Sequence, residues 1–306
     1  MSRRTRKKFL ASAINTGTYG TDAINAGTPL YMKTFDLDIQ PIEGEDVDTT
    51  YDNGDLGSTK ILLIGNHVKV TGSVDLTGAG TDVDKPAYDP VLVSGGWQGT
   101  IGADSVVYAK VTDGTEKDVT FYVYKDGALH VVLGARLTTT YVANVGEKPR
   151  IEFDITGLLG DILYQASLPQ PDTSAFIDPV QVGATHTEFT IGGTKHKMTA
   201  FSLADNVQVV YDENSEAEEV FISDFAPEVT FTIQAPPLNT FNPFDIALNH
   251  QEIAIKLVHG TGTGNIVEIN LPSVQLMRPA YDSREGRDTY ALTGRVLGSG
   301  YTITTK

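Results

Sequence analysis

The sequence predicts a mainly β protein built from two similar modules, and three observations support this. Short stretches alternate apolar and polar residues, which is the period of a half-buried strand. Glycine is abundant, with 30 among 306 residues, as turn-rich β proteins require. Four short motifs of the first half also return, in the same order, in the second half.

The recurring motifs have offsets that decrease along the chain, from 166 residues (32 to 198) to 137 residues (155 to 292). The pairs are Met32–Leu37 with Met198–Leu203, Asp89–Leu92 with Asn242–Asp245, Val107–Lys110 with Ala254–Lys256, and Ile155–Gly157 with Leu292–Gly294. A fixed order with shrinking offsets indicates a duplication in which the first copy carries the longer loops.

Residues 1–29 are predicted to form an extended N-terminal arm, because small polar residues and turn signals such as Ala26–Pro29 dominate them. The segment after the basic start is too short and too polar for a secretory signal. Five of the first eight residues are basic: Arg3, Arg4, Arg6, Lys7 and Lys8. Such a run is typical of a disordered or partner-docked tail.

The first module is predicted to span residues 30–165. Its alternating strands are Thr34–Ile39, Val68–Leu76, Val119–Tyr124 and Ile151–Ile155. The dipeptide Asp126-Gly127 predicts a hairpin turn. Residues Pro90–Gly95 are predicted to form a short helix, since proline in the first turn loses no hydrogen bond.

A proline-rich stretch, Leu168–Pro171, indicates a linker over residues 166–190. The second module is then predicted to span residues 191–306. Its strands are Asn206–Tyr211, Glu228–Gln234 and Glu252–Leu257, and its short helix is Pro243–Asn249. The two helices hold equivalent places in the two copies.

The chain is acidic, with 39 Asp and Glu against 23 Lys and Arg, which gives a formal charge of −16. Affinity for nucleic acid comes mainly from Lys and Arg, so most of the chain is expected to repel phosphates. Acidic groups follow the opening strand of each copy, which indicates a shared negative surface. The candidate acids of this surface are Asp36, Asp38, Glu43, Glu45, Asp205, Asp212, Glu213 and Glu216.

No motif predicts catalysis, a cofactor site or a metal site. Gly260–Gly264 resembles a phosphate loop, but a strand pattern follows it instead of the required helix, so a hairpin loop is expected. Asp46–Asp55 lacks the terminal acid of a calcium loop. The histidines lack ligand spacing, and cysteine is absent, which excludes thiol chemistry. No apolar run approaches the roughly 18 residues of a membrane span.

Several segments resemble the tail tube proteins of long, non-contractile-tailed bacteriophages. Thr18–Asp22 resembles the family's N-terminal arm, and Pro41–Glu45 resembles a motif after its first strand. The densest similarity is C-terminal, in Leu257–Thr261, Gly264–Val267, Pro272–Leu276, Pro279–Tyr281, Gly286, Tyr290–Leu292 and Arg295–Leu297. The resemblance covers most of the chain through turn and strand signatures. The basic run at the start is longer than the family usually carries.

This resemblance implies a structural subunit of stacked rings around a negatively charged channel for DNA. The eight acids named above are then candidates for the lumen-facing or acidic surface, and the five basic residues are candidates for an arm between neighbouring rings. Each β-sandwich or barrel module would give strands to one β-barrel that continues across subunits, with its short helix outside. Candidate barrel strands are those around Val68–Leu76 and Glu228–Gln234, with hairpin partners near Thr34–Ile39 and Ala200–Val210. The expected location is the virion tail, assembled in the host cytoplasm. Expected partners are the tape measure protein and DNA in the lumen, and tail terminator and distal tail proteins at the ends.

Single-module tube proteins form hexameric rings, so a two-module chain predicts a trimer with pseudo-sixfold symmetry. The alternative is a hexamer whose second half decorates the outside. A different class is a non-enzymatic β-sandwich decoration protein or adhesin that binds glycans, although the single tryptophan, Trp97, lies in a glycine-rich loop. A third class, a β-sandwich hydrolase, lacks a supporting motif.

Overall fold

The computed structural model describes residues 4–52, 56–80 and 83–306. Arg3 of the basic run and residues 53–55 of the acidic turn lie outside the described residues. Strands make up 54% of the chain and helices 4%, so the protein is mainly β, as predicted.

The first half holds nine strands and one short helix among its described residues. They are β1 (Lys8–Ile14), β2 (Leu30–Met32), β3 (Thr34–Asp48), β4 (Ile61–Asp75), α1 (Asp89–Ser94), β5 (Trp97–Ile101), β6 (Val106–Lys110), β7 (Val119–Lys125), β8 (Ala128–Val142) and β9 (Arg150–Tyr164).

The second half has a similar composition of elements. They are β10 (Thr187–Ile191), β11 (Thr194–Lys195), β12 (Met198–Ala204), β13 (Val207–Glu213), β14 (Glu218–Phe225), β15 (Glu228–Gln234), α2 (Pro243–Leu248), β16 (Glu252–His259), β17 (Val267–Leu276), β18 (Ala280–Arg284), β19 (Arg287–Val296) and β20 (Thr302–Thr305).

Local sequence signals account for several of these elements. Both helices have proline in the first turn, and the side chain of Asn242 caps α2 by accepting from Asp245 N. Gly127 takes a left-handed φ of 82° in the tight turn between β7 and β8. The predictions of both helices and of this hairpin are confirmed. Gly260–Gly264 also connects two paired strands, β16 and β17, as a hairpin loop.

The two halves follow the same order of strand pairing. In the first half the order is β3–β4–β9–β8–β7–β1. In the second half it is β12–β15–β19–β17–β16–β10, with β18 continuing the path of β17 beside β19. Strand β20 pairs with the start of β17, as the end of β9 pairs with the start of β8. All these pairs are antiparallel.

Hydrogen-bonded strands also cross between the halves. Ser202–Ala204 of β12 pairs with Thr140–Val142 of β8, and β20 pairs with β6. The main apolar cluster contains buried residues of both halves, among them Val70, Ile155, Phe231 and Leu292. No sheet of the described residues closes into a barrel. The boundaries 30–165 and 191–306 therefore stay predictions.

Two sequence expectations are wrong in detail. Residues 8–14 are not part of an unpacked arm, because β1 pairs with β7 and β2, and Leu10 and Ala11 are fully buried. Lys8 is the first residue of that strand. The match of Val107–Lys110 with Ala254–Lys256 is also wrong, since β16 occupies the place of β7 in the strand order and β6 does not.

A buried charged cluster joins the two halves. Asp205, at the end of β12, is fully buried, and its carboxylate pairs with Lys110 Nζ at 2.9 Å. Three further donors bond the same carboxylate, and Lys110 also donates to Gly95 O. The donors are Trp97 Nε1 at 2.9 Å, Thr139 Oγ1 at 2.7 Å and Tyr301 OH at 3.2 Å. Burial lowers the pKa of Lys110, and the charge of Asp205 opposes this effect.

Removing the carboxylate should be strongly destabilising. We expect Asp205→Ala to lower the free energy of unfolding by about 3–5 kcal/mol, because Lys110 would then be a buried charge without a counter-ion. The double variant Asp205→Leu, Lys110→Met should cost less than Asp205→Ala alone. Urea unfolding of both, with exposed Asp104→Ala as the control, measures these differences. Equal stability of Asp205→Ala and the wild type would contradict this prediction.

Candidate functional site

Eight strands of the larger sheet, which has 18 strands among the described residues, form one continuous antiparallel series through both halves, called here the eight-stranded sheet. Their order is β3–β4–β9–β8–β12–β15–β19–β18. The predicted hairpin partners pair as expected, β3 with β4 and β12 with β15. The β8–β12 contact makes this sheet continuous across the boundary between the halves.

One face of this sheet is the core and the other is polar. On the core face, Ile151, Tyr141, Leu203 and Val229 are opposite one another on four successive strands, and all are buried. The residues between them point to the opposite face, because side chains alternate along a strand. We call that opposite surface the polar face.

Three cross-strand rows define the polar face. The first is Asp38–Thr71–Asp154–Thr138. The second is Ser73–Glu152–Thr140–Ala204–Glu228–Arg295. The third is Arg150–Val142–Ser202–Thr230–Thr293. The second and third rows continue across the junction between the halves, so both halves contribute to one polar surface.

The polar face carries both signs of charge, with acids more numerous in the first half. Asp38, Glu152 and Asp154 are exposed there, and Lys69 and Arg150 are half-buried. Asp36, Glu152, Asp154 and Arg150 line one groove of about 380 Å³. Although Asp154 is exposed, partial desolvation of its carboxyl in this groove raises its pKa, and the nearby Lys69 acts in the opposite direction.

The seven predicted acids other than Asp205 fall into three places. Asp36 and Asp38 are exposed on β3. Glu43, Glu45 and Glu213 line a cleft of about 580 Å³ between the outer part of the β3–β4 hairpin and the β13–β14 hairpin. The remaining exposed pair, Asp212 and Glu216, lies at the end of the β13–β14 hairpin.

The expectation that Asp205 is a surface or lumen acid is wrong, because its side chain is fully buried among the four donors described above. Sequence reasoning also missed Glu152, Asp154 and Glu228 as acids of the polar face. Their signal was available in the alternation of their strands, where Ile151, Phe153 and Ile155 point to the core.

The eight-stranded sheet ends in two unpaired edges. At one end β3 pairs with β4 and with no other described strand. Lys8 Nζ donates to the carbonyl of Leu37 at this edge, and a lysine there discourages indiscriminate pairing. At the other end β18 pairs with β19 alone among the described strands, and all five of its residues are exposed. Unpaired edges of this kind are templates for pairing with another chain.

The basic residues of the N-terminus lie beside the first half. Arg4, Arg6 and Lys7 are exposed. The backbone N of Arg4 donates to Asp126, and Lys7 Nζ is 3.9 Å from the same carboxylate. The assignment of these residues to contacts between rings stays a prediction.

The β13–β14 hairpin of the second half packs on the sheet of the first half. The ring of Tyr211 stacks on His67, with 5.0 Å between centroids. Tyr19 OH accepts from Val220 N at 2.6 Å and is within donating distance of Gly134 O at 3.0 Å. Burial raises the pKa of Tyr19. The segment Thr18–Asp22, which contains Tyr19, therefore connects the two halves by hydrogen bonds.

Other kinds of site find little support in the described residues. No group of three His, Asp or Glu side chains there could hold a metal ion. None of the described helices combines the length and apolar character needed to cross a membrane. Trp97 lies in β5 with 1% exposure, so it is not in an exposed loop and offers no stacking surface to a sugar.

Comparison of the sequence with protein-family models gave no match, and comparison with curated proteins gave none either.

The tyrosine contact leads to a test of how the halves are held. We expect Tyr19→Phe to lower the free energy of unfolding by about 1–3 kcal/mol, because buried Val220 N loses its acceptor. A glutamate-specific protease should also cleave faster after the glutamates of the β13–β14 hairpin, which lie between residues 213 and 219. Tyr164→Phe, at a residue 82% exposed, is the control. Unchanged stability and unchanged cleavage in Tyr19→Phe would show that the hydroxyl does not hold the hairpin.

Proposed function

We propose that the chain is a structural subunit of a bacteriophage tail tube, which polymerises as stacked rings around a negatively charged channel for DNA. The observation that carries this proposal is the eight-stranded sheet, which has a polar face along both halves and an unpaired edge at each end. A sheet of this kind becomes complete when copies join edge to edge, because closure removes the edges.

The junction inside the chain is a template for the junction between copies. Inside the chain, the end of β8 pairs with β12. The equivalents of these two strands are β18 and β3, as the common strand order indicates. Both equivalents are the free edges of the sheet. Pairing of β18 with β3 of the next copy would repeat the internal junction, and such a head-to-tail contact generates a ring if the rotation closes.

The stoichiometry follows from the duplicated strand order. If each half occupies one of six positions, three chains complete the ring. With eight strands from each chain, the barrel has 24 strands. At a strand spacing of about 4.8 Å and a tilt of about 40°, the backbone diameter is roughly 50 Å, wider than a DNA duplex. The hexamer with an external second half is less favoured, because β12 already continues the sheet of the first half.

The polar face suits the wall of such a channel. It is rich in threonine, and its first half carries the acids Asp38, Glu152 and Asp154. Negative groups repel phosphates, so DNA would move along the wall without binding to it. In this proposal the protein is part of the virion tail, assembled in the host cytoplasm. The tape measure protein and DNA would occupy the lumen, and tail terminator and distal tail proteins would cover the tube ends.

The first test is the assembly state. We expect purified protein, when concentrated, to form hollow rings or tubes of uniform bore in negative-stain images. One ring should have a mass of about 99 kDa, three times the 33.0 kDa chain, and threefold symmetry with a sixfold pseudo-repeat. A protein that stays monomeric at every concentration and binds a glycan would refute the proposal in favour of an adhesin. A six-chain ring would refute the trimer.

The second test concerns the channel wall. We expect tubes of Asp38→Lys, Asp154→Lys to bind short single-stranded DNA at about 50 mM salt, and binding should weaken steeply as salt rises. Wild-type tubes should not bind. The control, Asp104→Lys, Asp113→Lys, makes the same charge change at exposed loop positions outside the proposed channel. Equal binding by the two variants in co-sedimentation would place the polar face outside the channel.

A further inference from the structure

The outer part of the β3–β4 hairpin has one apolar, exposed strand, while the opposite strand carries Glu43, Glu45, Asp46 and Asp48. We define the hairpin tip as residues Glu43–Asp48 and Ile61–Ile64. Four consecutive aliphatic residues of the tip, Ile61–Ile64, are 44–59% exposed, and Val47 opposite Leu62 is 39% exposed. A run of this size is unusual on a free surface and marks an interaction site.

The second half contains the equivalent hairpin, and there it is docked. Strands β13 and β14 lie between β12 and β15 in the chain, as the tip lies between the inner parts of β3 and β4. The β13–β14 hairpin packs on the first half near the end of α1. A Cβ atom placed on Gly96 would be 3.1 Å from Ile222 Cδ1, so this isoleucine lies directly on the turn after α1.

The second half offers an apolar groove at the matching position. We call it the α2 groove; it has a volume of about 800 Å³, and its lining includes Phe244, Ala247, Leu248, His250, Met277 and Pro279. Leu248 is 79% exposed and Met277 is 41% exposed. The described part of the same chain therefore leaves most of Leu248 and much of Met277 uncovered.

Two backbone features show that the groove corresponds to the docking surface of the first half. Gly96 is the second residue after α1, and His250 is the second residue after α2; both have left-handed φ angles, 77° and 52°. The backbone N of Met277, just after β17, donates to Thr293 O on β19. The common strand order matches this pair of strands to β8 and β9, where Arg136 is opposite Thr156. The β13–β14 hairpin contacts the first half in this same region.

We infer that the hairpin tip of one copy docks in the α2 groove of the neighbouring copy in the ring. The inference rests on the proposed function, and it names the partner surface of that assembly. Within the chain, the β13–β14 hairpin of the second half packs on the first half. Along the ring, the first half of the next copy follows the second half of this one, so its tip meets the α2 groove. Contact would remove the apolar β4 strand of the tip and the apolar lining of the groove from water together.

Charge in the tip should block assembly without unfolding the chain. We expect Leu62→Asp, Ile64→Asp to raise the protein concentration needed for ring formation at least roughly tenfold, because two exposed aliphatic side chains no longer become buried. The far-UV spectrum and urea midpoint of the monomer should not change. The matched control is Ile101→Asp on β5, since Ile101 is 52% exposed and Leu62 is 54% exposed. The control should assemble as the wild type does.

Cysteine pairs test where the tip lies. The natural chain has no cysteine, so Leu62→Cys, Leu248→Cys introduces the only thiols. On oxidation of assembled rings, we expect bands of two and three covalently joined chains, and none from Leu62→Cys, Ile101→Cys.

The outcomes separate the docking from the function. Assembly of the Asp variant at wild-type concentrations, or loss of assembly without the Leu62–Leu248 cross-link, refutes docking in the α2 groove and leaves the tube function standing. Failure of the wild type to assemble refutes the tube function, and the docking with it.

Discussion

The buried carboxylate of Asp205 is the interaction on which the arrangement of the two halves depends. It lies at the end of β12, and its donors come from β5, β6, β8 and the segment before β20. A buried carboxylate is stable only when its lone pairs are bonded, so these elements must meet in one geometry. That geometry brings β12 alongside β8 and makes two smaller sheets into one. The polar face, its continuous rows and the positions of its free edges all follow from this joint.

The free edges differ from ordinary sheet edges in how they are controlled. Exposed edges invite aggregation, and this chain limits them with charge. Asp36 and Asp38 lie on β3, Lys8 bonds its carbonyl at Leu37, and Asp282 and Arg284 lie on β18. The acids of β3 disfavour pairing of this edge with a copy of itself, and Arg284 permits pairing of β18 with β3. A heterologous contact of this kind suits a closed ring.

Much of the fold was predictable because its signals are local. Alternation of apolar and polar residues predicted β3, β4, β9 and β15. Proline in the first turn predicted both helices, and Asp126-Gly127 predicted a turn. The burial of Asp205 could not be predicted, because its donors lie up to 108 residues away and only the fold brings them together. The residues of β1 looked like an arm for the same reason: their burial depends on β7, more than 100 residues later. On the polar face, Asp38 was predictable from charge, but Glu152 and Asp154 required knowing which strands pair.

If the halves arose by duplication, they have diverged at the place where the two junctions would otherwise be identical. Through the strand pairing, Ala204 corresponds to Glu43, so Asp205 corresponds to Gly44, which has no carboxylate. The described second half also has no counterpart of β6, the strand that carries Lys110. The internal junction therefore has a charged cluster that fixes its geometry, and the proposed junction between copies would lack it. A contact without a buried ion pair tolerates small changes of packing better. In the proposed ring, joining the two halves in one chain also halves the number of bodies that lose translational freedom. A specific joint within the chain and an adaptable joint between chains together suit the proposed role of a subunit that folds alone and then assembles.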